Sequence, residues 1–196
     1  MKKVGITGNI GSGKTWVCLL FESLGVPVFY SDDEAKKLYL RDDIRTEMVK
    51  YFGAEVYLPD GQLNKGFLAF LLFSDPKAME KVERILYPAL NAWFDEWAEQ
   101  QDAPYVLYES AILYEKGLAS RFDAMVLVSA SETTRLRRVM LRDRCDEAAV
   151  RHRMARQWLE EDKRAHADYI IEHDHDDEDA ILMQQVLAVD ECLRSH

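Results

Sequence analysis

The stretch Lys3-Val4-Gly5-Ile6-Thr7-Gly8-Asn9-Ile10-Gly11-Ser12-Gly13-Lys14-Thr15 decides the reading of this chain. Residues 3–7 are a short β-prone run. They feed a Gly-x-x-x-x-Gly-Lys-Thr loop, and residues 14–24 then carry the apolar period of a helix at Val17, Leu20, Phe21 and Leu24. Glycines in such a loop let successive backbone N–H groups converge on phosphate oxygens with no Cβ in the way. The helix beginning near Gly13 adds the positive end of its dipole. Lys14 is placed to reach the β- and γ-phosphates of ATP, and Thr15 to ligate the Mg²⁺ that travels with it. The expected nucleotide-binding residues are therefore Gly8, Asn9, Ile10, Gly11, Ser12, Gly13, Lys14, Thr15 and, next on the helix, Trp16.

Working outward, Gly25 suits the end of that helix, and residues 26–30 form a second strand. Ser31 can cap a following helix, with Glu34 three residues on completing a capping box. Strand, loop, helix, strand is one βαβ unit, which implies a parallel sheet with helices on both faces. From about residue 42 to 100 the strands disappear. Helices are expected over 43–51, ended by Gly53, over 66–73, and over 76–100 with Ser74 as its cap. Pro88 should kink or split the last of these. Trp93 and Trp97 share one face, which reads most simply as core packing. The α/β pattern resumes with strands at 105–108 and 125–129, a helix at 132–143 capped by Ser131, a helix at 147–158, a strand at 169–171 and a helix at 179–193. The fold class is α/β: a P-loop NTPase fold with a parallel five-stranded sheet flanked by helices. We read one domain, with a nucleotide-binding core of residues 1–41 and 103–196, a helical insertion of about 42–102 and a lid of about 138–165.

The 196 residues suffice for a sizeable core, and the formal charge of −10 argues against a broad nucleic-acid interface. Positive charge is nevertheless concentrated, since 10 of the 25 Lys and Arg residues fall between Arg135 and Arg164. The three cysteines are far apart and match no zinc or redox spacing, so free thiols in a reducing cytoplasm are expected. No apolar run is long enough for a membrane span, and no signal peptide is expected at the start. A monomer or weak homo-oligomer fits this composition.

Several further residues carry possible chemistry. Asp32 follows the second strand, at the carboxyl edge where ligands sit in open α/β sheets. It could accept a proton from an attacking hydroxyl, or simply stabilise a helix start, and Asp33 beside it is easily confused with it. Glu109, after the third strand, could act near the metal, directly or through water, or be an ordinary strand-end acid; Glu115 is less specific. Arg135, Arg138 and Arg142 share a helical face that Leu136, Val139 and Met140 can anchor. They could close over a transferring phosphoryl group, or form a solvated basic face paired with Asp143, Glu147 and Glu160. His173-Asp174-His175-Asp176-Asp177-Glu178-Asp179 reads better as a helix approach than as a metal site.

Taken together, these residues resemble the dephospho-CoA kinases over almost the whole chain. Val4–Thr15 looks like that family's opening. Phe21-Glu22-Ser23-Leu24-Gly25-Val26-Pro27-Val28 followed by Ser31-Asp32 is similar to its second motif. Phe52-Gly53 and Asp60-Gly61-Gln62-Leu63 resemble marks of its insertion, Ile112-Leu113-Tyr114-Glu115 the segment after the third strand, and Arg138, Arg142, Gln157 and Arg164-Ala165-His166-Ala167-Asp168 its lid and late motif. The chain departs from the pattern at Tyr30, Tyr87, Glu109 and His173. The resemblance implies ATP and 3′-dephospho-CoA as substrates, an insertion that helps hold the acceptor, and Asp32 as the base. It assigns Lys14, Arg138 and Arg142 to the phosphates. Two rival readings are a kinase for another small molecule and a non-enzymatic nucleotide switch.

Overall fold

The computed structural model describes residues 1–75, 77–174 and 179–195. They divide into two compact units, Met1–Tyr30 with Gln101–His196, and Ser31–Gln100.

The first unit holds the sheet. Strands β1 (Lys2–Thr7), β2 (Val28–Tyr30), β3 (Tyr105–Glu109), β4 (Ala124–Ser129) and β5 (Tyr169–Glu172) lie side by side in the order β2-β3-β1-β4-β5. All paired neighbours are parallel. β1 is central and covered on both faces: Val4 and Ile6 on one face and Gly5 and Thr7 on the other are all buried, and Leu107 and Val126 beside them are fully buried. Helix α1 (Lys14–Ser23) covers one face through Val17, Cys18 and Phe21. Gly25, at φ 79°, turns the chain back towards β2, which starts two residues later than expected. The final helix α9 (Asp179–Ser195) packs on α1 and β5 through Leu182, Val186 and Val189. The Tyr105 hydroxyl donates to Asp190 at 2.6 Å, and Asp190 also accepts from Arg194, so the one acid in that core is fully engaged.

The second unit is helical, as expected, and its described residues add only an isolated bridge between Tyr57 and Leu63. Here α2 (Ser31–Leu38) begins at Ser31 itself, so Ser31 lies inside the helix rather than before it. Glu34 does not close a capping box; its carboxylate accepts from Lys37 and from the Trp93 indole. After α3 (Asp42–Phe52) the chain ends the helix at Gly53, and α4 (Lys65–Ser74) is capped by Asn64, which accepts from the Phe67 N–H. Ser74 closes α4 instead of capping the next helix; the turn is made by Asp75, which accepts from the Lys77 N–H at 2.9 Å.

Pro88 does not split α5 (Ala78–Glu99), which runs as one element of 22 residues. Every fourth residue from Ala78 to Ala98, including Val82, Leu86, Leu90 and Phe94, is buried. Burying four large apolar side chains contributes roughly 6–12 kcal/mol. That outweighs the ~3 kcal/mol cost of an interior proline. Trp93 and Trp97 flank this stripe half-buried, so they edge the core instead of forming it.

Candidate active site

The glycine loop joins β1 to α1 at the carboxyl edge of the sheet. Gly13 is left-handed and precedes Lys14, the first residue of α1, so the unpaired N–H groups of the first helical turn face the loop. Gly11 also has positive φ, 84°, and a Cβ there would stand 2.5 Å from the Arg135 carbonyl oxygen. Helix α6 (Glu132–Asp143) thus lies directly on the loop, and only glycine fits. Lys14 Nζ donates to the Gly8 carbonyl at 3.0 Å and stands 3.8 Å from Glu109. Thr15 and Trp16 are exposed on the first turn of α1. Three buried oxygens, Thr7 Oγ1, Asn9 Oδ1 and Ser12 Oγ, have no hydrogen-bond partner among the described residues. Orphaned groups of this kind cost about 1–3 kcal/mol each and concentrate where a protein receives a polar ligand.

Glu109 ends β3, level with Ile6 on one side and Tyr30 on the other, and its side chain is 13% exposed. Its carboxylate and the Thr15 hydroxyl are hard oxygen donors of the kind Mg²⁺ takes, and two protein ligands suffice for an ion that keeps waters and phosphate oxygens. These residues fit the ion. Cys18, directly beneath, is no nucleophile, because burial and the nearby Glu109 push its thiol far above its ordinary range.

The three arginines of α6 fare differently. Ser131 caps the helix by accepting from Thr134 N–H, as expected, and Asp174 accepts from the Ser131 N–H. Arg135 is buried, donates to the Ala130 carbonyl and lies 3.9 Å from Glu160. Arg138 reaches the Gly11 and Ser12 carbonyls at 3.4 Å. Arg142, one turn further, is exposed and makes a bidentate pair with Asp143, which Arg153 also holds. Of the expected phosphate-binding arginines, then, Arg138 is on the loop and Arg142 is not.

The helix expected over 147–158 stops four residues early, as α7 (Glu147–Met154), and a separate, unexpected helix, α8 (Glu160–His166), follows. The break frees Gln157 and Trp158 to reach the loop. Gln157 Oε1 accepts from the Ile10 N–H at 2.8 Å, and the Trp158 carbonyl accepts from Asn9 Nδ2 at 3.1 Å. A cleft of about 550 Å³ opens beside them, lined by Asn9, Ser131, Arg135, Gln157, Trp158 and Glu160. Arg164 donates to Ser129 and Glu172, at the ends of β4 and β5. Asp168 accepts from the Met125 N–H. His173 approaches the Ser12 carbonyl at 3.2 Å. In the acidic run that follows, His175 to Glu178 lie outside the described residues; among the described residues no cluster of metal-binding side chains occurs.

Asp32 belongs to the helical unit, in the first turn of α2 with Asp33 and Glu34. Asp33 is paired with Lys36 at 2.7 Å, and Glu34 with Lys37 and Trp93. Among the described residues Asp32 has neither a hydrogen bond nor an ion pair. Residue type and position alone do not separate Asp32 from Asp33; in the sequence only the Ser31-Asp32 motif does. Gln157 and Glu115 lie in segments that carry the family resemblance; the residues that sequence reasoning missed are Trp158 and Lys163, the latter paired with Glu115 at 2.8 Å, and no local pattern marks either.

Comparison with known proteins agrees with this geometry. The family model described as dephospho-CoA kinase matches residues 2–179. A curated dephospho-CoA kinase of Syntrophotalea carbinolica is 39% identical over 178 residues, covering 88% of this chain and 84% of that protein. A solved structure from Thermus thermophilus superposes with a TM-score of 0.85 at 32% identity, over 97% of this chain and 96% of the other. A dephospho-CoA kinase from Campylobacter jejuni, 20% identical over 98% and 97% of the two chains, shares the fold with a TM-score of 0.73. With its parallel sheet, its glycine loop and a match running nearly end to end, the chain belongs to the dephospho-CoA kinase family.

Proposed function

We propose that this chain transfers the terminal phosphoryl group of ATP to the ribose 3′-hydroxyl of 3′-dephospho-CoA, giving coenzyme A and ADP, the last step of coenzyme A biosynthesis. The match of the family model over residues 2–179 carries this reading. The loop geometry supports the ATP half of it, with the orphaned oxygens of Thr7, Asn9 and Ser12 around Lys14.

Lys14 leaves the Gly8 carbonyl for the β- and γ-phosphates, and the N–H groups at the start of α1 hold their oxygens. Thr15 and Glu109, the latter directly or through water, would hold Mg²⁺, which when bound would neutralise phosphate charge. Asp32 accepts the proton of the 3′-hydroxyl as its oxygen attacks the γ-phosphorus and ADP leaves with the bridging oxygen. That Asp33 and Glu34 are each committed to a lysine supports Asp32 as the base. Arg138 and Arg142 balance the charge on the transferring group, and closure of residues 138–165 excludes water that would compete for it. Cys18, Cys145 and Cys192 are in no disulfide among the described residues, which suits a reducing cytoplasm. Among the described residues no helix is long and apolar enough to cross a membrane.

A coupled ADP-release assay tests the reading. ADP should appear only when dephospho-CoA is supplied, and a panel of nucleoside monophosphates and sugar acids should give none. Asp32→Asn should fold and bind ATP normally while losing about 10²–10⁴-fold in turnover. Near-normal turnover in that variant would remove the base from Asp32.

A further inference from the structure

Lys163 is fully buried, yet it is a charged residue that neither the phosphate chemistry nor the acceptor needs. Its Nζ lies 2.8 Å from Glu115 Oε1 and donates to the Ala111 carbonyl at 3.0 Å. The same two acceptors serve the residues that touch the glycine loop. Glu115 Oε1 accepts from the Trp158 N–H at 2.9 Å, and the Ala111 carbonyl lies 3.4 Å from Gln157 Nε2. Trp158 and Gln157 in turn hold Asn9 and the Ile10 N–H. One charge on α8 therefore fixes two residues in the break after α7, and those fix the first half of the loop.

We infer that Lys163 and Glu115 are positioning residues that set the glycine loop for ATP through Gln157 and Trp158. Stability alone explains the pair poorly. Burying both charges costs several kcal/mol, and replacing such pairs by apolar residues is often neutral or stabilising. This pair is not even fully satisfied, because Glu115 Oε2 has no hydrogen-bond partner. What the pair does supply is direction. It orients two carbonyl and amide groups that end on Asn9 and Ile10, and it commits the Ile10 N–H to protein. The phosphates are then left to the amides that follow. The tie to Ala111–Glu115 also anchors the base of residues 138–165 to the segment after β3, independently of nucleotide.

The inference rests on the reading that Gly8–Thr15 binds ATP, so the test measures ATP affinity directly, by calorimetric titration of the full chain without acceptor. Lys163→Met should weaken ATP binding about tenfold or more, as displaced positioning groups do, and should lower the melting temperature. The double variant Lys163→Met with Glu115→Leu removes both buried charges. It should regain the melting temperature while ATP binding stays weak. Gln157→Met should reproduce the ATP defect with the melting temperature unchanged. In steady state the KM for ATP should rise, with the KM for dephospho-CoA within about twofold of the parent. Recovery of ATP affinity along with melting temperature in the double variant would overturn the inference, as would a parallel rise in both KM values. If no variant and not even the parent turned over dephospho-CoA, the acceptor assignment would fall, and the titrations would still judge the brace.

Discussion

Gly11 shows how much a single position decides. Its φ of 84° costs any L-residue roughly 1–3 kcal/mol. A Cβ there also meets backbone, 2.5 Å from the Arg135 carbonyl oxygen and 2.9 Å from its Cα, so the loop or α6 must shift. Gly25 has nearly the same φ, 79°, but nothing within 4 Å of its would-be Cβ. The two glycines separate strain from contact. Gly25→Ala should lower stability by only about 1 kcal/mol and leave ATP binding intact. Gly11→Ala should cost more than that and abolish measurable ATP binding, read by denaturant unfolding and calorimetry. Equal effects in the two variants would refute the contact argument. The glycines, Lys14 and Thr15 are legible in the sequence because their spacing is itself the chemistry. Position alone leaves Asp32 confusable with Asp33; the Ser31-Asp32 motif singles it out in the sequence, and the fold adds that Lys36 and Lys37 claim its neighbours. Glu115 is legible only as an unspecific acid, and its pairing with Lys163 not at all. Forty-eight positions apart, they become a pair only through the fold.

At the scale of an element, α6 is a ruler laid along the loop. Its rise of about 1.5 Å per residue puts Arg142 one turn beyond Arg138. Arg138 already touches the loop carbonyls, whereas Arg142 is held by Asp143. The two should therefore fail differently. Arg138→Met should raise the KM for ATP, because its contact exists before reaction. Arg142→Met should lower kcat by about 10²-fold with little change in that KM, because the phosphate contact proposed for it would form only on closure. Steady-state kinetics at saturating dephospho-CoA distinguish them, and a shared KM defect would contradict the assignment. The strands and most helices were readable from apolar period and caps. The exceptions have physical reasons. Residues 147–158 look helical throughout, but the hydrogen bonds that Gln157 and Trp158 accept from the loop reward leaving the helix after Met154. Pro88 looks like a break, and the buried stripe on both sides of it keeps the helix whole.

For the whole molecule, the sequence pattern implied a parallel sheet but not its order, because strands buried on both faces carry no mark of their neighbours. The fold holds a set of buried and half-buried tyrosines, in the sheet unit and in the helical one, whose titration reports on both units. Burial raises Tyr39 and Tyr114 to about 12, and raises Tyr30 and Tyr105 further, the last helped by its hydrogen bond to Asp190. In the unfolded chain each titrates near 10.0. The folded state therefore holds these protons more tightly, and the stability they contribute is complete below pH 10 and is lost as pH rises towards and through the folded values. The formal charge of −10 grows more negative over the same range and adds self-repulsion. The denaturant midpoint should accordingly be flat just below pH 10 and fall steeply from pH 10 to 12. Tyrosinate absorbance should rise in two steps, exposed rings first and the buried ones together with the loss of helical circular dichroism. Because Tyr39 lies in the helical unit and Tyr105 in the sheet, Tyr39→Phe and Tyr105→Phe should each shift the alkaline transition to higher pH. A single smooth absorbance rise centred near 10, with the folded signal intact, would mean that these rings are not held in their protonated form by burial.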